Sequence, residues 1–66
     1  MTTLAADYPK EQARLRELIE AYREIGPAGA FGLYAIERVL ARADTASAGH
    51  DTVALIRCLS EMRECQ

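Results

Sequence analysis

The stretch Tyr22-Arg23-Glu24-Ile25-Gly26-Pro27-Ala28-Gly29-Ala30-Phe31-Gly32-Leu33-Tyr34 decides how this chain folds. Gly26 accepts the left-handed conformation that ends a helix, and Pro27 cannot extend a ladder of backbone hydrogen bonds, so a helix arriving from the N-terminal side stops here. The fixed φ of Pro27 also suits the first turn of a new helix. A stop followed at once by a start gives two helices joined by a short connection, which makes them run antiparallel. Gly29 and Gly32 then fall in the opening turns of the second helix, at a cost of about 1 kcal/mol each relative to alanine. That cost asks for a reason: another backbone packs closely there, or a ligand approaches the helix N-terminus.

On the N-terminal side, Leu15, Leu18, Ile19, Tyr22 and Ile25 recur at three-and-four spacing, with Arg14, Arg16, Glu17, Glu20, Arg23 and Glu24 between them. This is one apolar helical face. Pro9 suits a first turn and Glu11 puts negative charge where the helix dipole favours it, so the pattern predicts a helix over about 9–25, preceded by a flexible arm, 1–8. On the C-terminal side, Leu33, Tyr34, Ile36, Val39, Leu40, Ala43 and Ala46 predict a second helix over about 28–48, with Gly49 as its C-cap. Asp51 is placed to cap a third helix over about 51–64. There Val53, Ile56, Leu59 and Arg63 form one line and Leu55, Cys58, Met62 and Cys65 the next. The expected fold class is all-α: a single helical domain over 9–66 in a three-helix hairpin arrangement. Its apolar arcs are wide enough to call for a homo-oligomer.

Composition agrees with a single small domain. The chain has 66 residues, 50% hydrophobic and 27% charged, with ten acids and eight bases for a net charge of −2. These values exclude a two-domain enzyme, a disordered tail and a basic coat for duplex nucleic acid. A domain of this length buries only about 60% of its unfolded surface and often needs added support. A disulfide is not expected, because Cys58 and Cys65 would lie about 10 Å apart along a helix. One histidine and no CxxC spacing argue against a metal, and no cofactor is expected. Oligomerisation is the support that remains. The lack of a long apolar run or a signal-like start points to the cytoplasm, away from membranes.

Nothing assembles into a catalytic set. His50, the only histidine, falls in a predicted turn, and Asp51 beside it serves better as a cap. Pairs such as Glu17 with Glu20 and Glu61 with Glu64 read as surface charge, with Arg16–Glu20 and Arg57–Glu61 as helical ion pairs. The two cysteines read as core thiols. Arg38 and Arg42 repel each other at i,i+4 unless something acidic meets them. The chain is therefore expected not to be an enzyme. The candidate ligand-binding residues gather around the glycine turn: Gly26, Ala28, Gly29 and Gly32 as a cradle for a phosphate or a base, with Tyr22, Arg23, Phe31, Tyr34 and Arg38 supplying stacking faces and charge. The segment has neither the lysine and hydroxyl of a P-loop nor the preceding strand of a dinucleotide site. Gly29, Gly32 and Ala35, spaced by three, equally form a smooth groove for a second helix.

The segment from Tyr22 to Gly32, followed by Ile36-Glu37, Leu40, Ala43-Asp44, Ala46, Gly49 and Asp51, resembles a group of very short proteins encoded by bacteriophages and prophages of proteobacteria. The resemblance covers most of the chain after residue 8. It implies an accessory phage protein, a class rich in inhibitors of host defence. The expected function is binding: sequestration of a nucleotide second messenger between protomers, or inhibition of a host defence protein such as a CRISPR effector. A purely structural self-association module is the third expectation. Genes for countering defence in the neighbourhood would favour the first two, and head or tail genes the third.

Overall fold

The computed structural model describes residues 3–49 and 51–66. Three helices, α1 (Leu4–Ile25), α2 (Ala30–Ser47) and α3 (Thr52–Glu64), carry nearly all of it, and a 3-10 turn over Gly26–Gly29 joins the first two. Among the described residues there is no strand. The expected turn position of His50, and the first two residues of the expected arm, lie outside the described residues.

The chain reverses where the glycine and proline require it. Gly26 ends α1 with φ of 79°, its N–H donating to the Arg23 carbonyl, and the 3-10 turn begins at once. At the other end of α2 the stop differs from expectation. Ala48, in the right-handed helical region, is the C-cap, and Gly49 donates its N–H to the Ala46 carbonyl without needing a positive φ. Asp51 caps α3 as its position suggests, accepting hydrogen bonds from Val53 N at 3.0 Å and Ala54 N at 3.3 Å.

The largest departure is the start of α1. Residues 4–8, expected in a flexible arm, are helical, and Pro9 lies inside the helix. Thr3 caps the N-terminus, its Oγ1 accepting from Ala6 N at 3.2 Å. Proline there deletes the bond that a residue-9 N–H would give to the Ala5 carbonyl and crowds that carbonyl with its ring. Burial of Tyr8, together with packing of Leu4 against the core, outweighs that loss. The Tyr8 ring is 5% exposed, and its hydroxyl donates to the Ala43 carbonyl at 2.7 Å, fastening α1 to α2.

The core draws one stripe from each helix: Tyr8, Leu15 and Ile19 from α1, Ile36, Leu40 and Ala43 from α2, Cys58, Leu59 and Met62 from α3. Polar contacts fix the register. Gln12 Nε2 donates to Asp44 Oδ1 at 2.8 Å, and Arg16 reaches the same carboxylate at 3.1 Å. Arg14, held by Glu11, donates to the carbonyls of Met62 at 2.6 Å and Cys65 at 2.9 Å, tying α1 to the C-terminal end of α3. Two expected ion pairs are replaced. Arg16 pairs with Asp44 instead of Glu20, and Glu61 pairs with Arg42 instead of Arg57, because oppositely charged groups on neighbouring helices lie within reach. Both cysteines are free thiols, Cys58 buried and Cys65 half-buried. Burial pushes the Cys65 thiol above its usual pKa, against the opposing pull of Arg14.

Candidate functional site

The residues expected to form one site divide into two groups facing different ways. The first group is consumed by packing. Gly29 is buried, and a Cβ there would lie 3.0 Å from the Tyr22 carbonyl oxygen and 3.3 Å from Ile25 Cβ. At Gly32 a Cβ would lie 2.5 Å from Tyr22 Cε2, closer than real side-chain carbons approach. The glycines let the start of α2 close against the end of α1, with the Tyr22 ring filling the space above Gly32. The Tyr22 hydroxyl in turn donates to the Gln66 carbonyl at 2.6 Å. Of the two readings of the glycine stretch, close packing describes this geometry, and the partner is the chain's own α1. Gly26 acts as a helix cap, Ala28 is exposed on the 3-10 turn, and Arg23 turns outward to Glu20 at 2.7 Å.

The second group stands in solvent on the outer face of α2. Phe31 is 87% exposed and Tyr34 61% exposed. Arg38 lies one turn further on, its guanidinium carbon 5.7 Å from the Tyr34 ring centroid and its Nη1 donating to the Tyr34 hydroxyl at 3.1 Å. This contact ties the arginine to the Tyr34 side chain one turn before it. Ala35, Val39 and Arg42 complete an open groove with these three side chains. The groove thus carries two arginines and no carboxylate of its own. Arg42 is anchored from the side by Glu61 of α3 at 2.5 Å, which answers the i,i+4 repulsion between Arg38 and Arg42. A second, separate depression that also touches Arg42 lies between α2 and α3, lined by small residues including Ala41, Ala46 and Ala54.

Three groove residues, Ala35, Val39 and Arg42, lay outside the expected set. Their signal was available in the helical spacing of Phe31, Ala35, Arg38 and Arg42, which places all four on one side of α2. Neither Arg23 nor the glycines join this face. Chemically it offers two aromatic surfaces, a planar cation and small apolar dips, which suits adhesion. Among the described residues, no group of three histidine, cysteine or acidic side chains is placed to hold a metal ion, and no helix is long and apolar enough to cross a membrane. Compared with known proteins, the chain matches no family model, no curated protein and no solved structure.

Proposed function

We propose that this chain is a non-enzymatic binding protein whose working surface is the outer face of α2, and that its partner is a polypeptide presenting carboxylates among small apolar residues. One observation carries the proposal: Phe31, a full aromatic side chain, stands 87% exposed beside the stacked Tyr34–Arg38 pair. Burying a phenylalanine is worth about 2 kcal/mol or more, a gain that folding of this monomer leaves unclaimed. Aromatic residues with arginine, ringed by polar groups, are the composition of binding hot spots. The setting implied by the phage resemblance is the one we propose for this binding: an accessory protein that blocks a component of host defence by covering it.

Substitution of an exposed residue tests this without confusing binding and folding. Phe31→Ser is expected to leave the urea unfolding midpoint within about 0.5 kcal/mol of wild type, as for other surface changes, while abolishing affinity capture of the partner from the producing cell. Val53→Ser, at a 58% exposed position on α3, is expected to leave both unchanged. Capture that survives Phe31→Ser would overturn the assignment.

A second reading has its own support in the Tyr34–Arg38 stack. A nucleotide base lying on Phe31 and Tyr34, with its phosphate at Arg38, would be held in a site completed by a second protomer. Native mass spectrometry separates the two readings: a nucleotide released on denaturation favours this one, and its absence from a purified oligomer favours the polypeptide.

A further inference from the structure

Away from the outer face of α2, the first turns of α1 and α3 meet the last turn of α2 around a third depression, of about 290 Å³. Its apolar walls are Leu4, Tyr8, Pro9 and Leu55. Ser47, on its α2 side, lies sixteen residues after Phe31, about 24 Å along the helix, so the place is separate from the surface proposed above. Ala5 and Gln12 complete the lining, and the hydrogen-bonding groups around it are unevenly spent. Donors are committed elsewhere: the Tyr8 hydroxyl to the Ala43 carbonyl at 2.7 Å, Gln12 Nε2 to Asp44 Oδ1 at 2.8 Å and Ser47 Oγ to the Asp44 carbonyl at 2.8 Å. Acceptors are left over. Pro9 has no N–H, so the Ala5 carbonyl lacks the donor that a helix supplies four residues on. Gln12, with its nitrogen committed to Asp44, keeps Oε1 as an acceptor. A proline inside a helix is costly, and this one both walls the depression and frees an acceptor beside it. Sequences break such local rules most often at functional sites.

We infer that this depression is a binding site for a free small molecule: one apolar ring system carrying an N–H or O–H donor. Its body would lie against Leu4, Tyr8, Pro9 and Leu55, and its donor would bond the Ala5 carbonyl. Volume sets the size. About 290 Å³ stands at the lower end of ligand pockets, about 300 Å³, which is room for a fused ring and too little for a helix of a partner. The leftover acceptors set the polarity: a donor satisfies them, whereas a carboxylate or phosphate would face more oxygen. Tyr8 adds an aromatic wall that suits a flat ring.

Indole serves as the probe, with binding read from the amide chemical shifts of a nitrogen-labelled chain. It is expected to bind at millimolar concentration, shifting the amides of Ala5, Tyr8, Gln12 and Leu55 and leaving Phe31 and Tyr34 unmoved. N-methylindole, the same ring without the donor, is expected to bind about fivefold more weakly. In Pro9→Ala the restored N–H of residue 9 takes the Ala5 carbonyl, and the fivefold preference is expected to vanish while helical circular dichroism is unchanged. Ser47→Leu, at an exposed position on the rim, fills the depression and is expected to abolish binding of both rings. Indole that produces no shifts, or shifts centred on Phe31 and Tyr34, overturns the inference. So does a preference for indole that persists in Pro9→Ala, or binding that survives Ser47→Leu. Tighter binding of N-acetyltryptophanamide than of indole would assign the ring to a side chain of a partner polypeptide and overturn the small-molecule assignment.

Discussion

Gly32 and Tyr22 show how a single missing methyl shapes this molecule. With a Cβ placed 2.5 Å from the tyrosine ring, Gly32→Ala forces the ring aside and strains its hydrogen bond to Gln66, outweighing the gain in helix propensity. The expected result is a loss of about 1–2 kcal/mol in urea unfolding. In a Tyr22→Ala background the same substitution should turn stabilising, by about 1 kcal/mol, because only the propensity term remains. An equal effect in both backgrounds would mean that the ring and the glycine are not coupled. Tyr8 is the second residue with a consequence of its own. Burial, reinforced by nearby Cys58, raises its pKa from 10.0 to about 12. The folded chain therefore holds the phenolic proton more tightly than the unfolded one. The stability this contributes is complete below pH 10 and is lost as pH rises through 12. Urea midpoints measured from pH 9 to 12 should fall more steeply for wild type than for Tyr8→Phe, which has no proton to release at that position. Parallel curves would contradict the assignment.

At the scale of elements, the helix stops and starts built on specific chemistry were legible in the sequence. Gly26-Pro27 and the Asp51 cap act as their residue types require. What misled was Pro9, whose suitability for a first turn hid the Thr3 cap six residues before the expected start. Local chemistry favoured both starts. The long-range anchoring of Tyr8 to Ala43, across 35 residues of chain, decided between them, and no local pattern displays it. The three-residue spacing of the glycines was visible, yet whether α1 or a ligand fills the groove depends on the rotamer of Tyr22. Pro9→Ala tests the corrected start. If α1 begins at Leu4, the substitution restores a backbone bond to Ala5 and should raise stability by about 1 kcal/mol or more. If the helix began at residue 9, the missing N–H would be an orphan in any case and the change would be close to neutral.

At the scale of the molecule, the wide apolar arcs of α2 and α3 lead the sequence reading to expect protomer contacts. The fold absorbs part of this surplus, with Leu55, Cys58, Leu59 and Met62 meeting α1 and α2, and leaves Phe31, Tyr34, Val53 and Ile56 outside. Only the first two stand beside an arginine that contacts one of them through both its ring and its hydroxyl, and it is this combination, more than exposure, that sets the outer face of α2 apart. The sequence held the residues of that face but mixed them with the packing glycines. Period alone does not tell which side of a helix meets α1 and which meets water.

The measurement that tests the working surface most directly is photo-crosslinking in the cell that makes the protein, with a benzoyl-phenylalanine placed at position 34 or, as control, at position 60 on the exposed side of α3. Covalent adducts with another polypeptide are expected from position 34 and not from position 60. Equal yields from the two positions, or adducts from position 60 alone, would contradict the assignment of the outer face of α2 as the surface through which this protein acts.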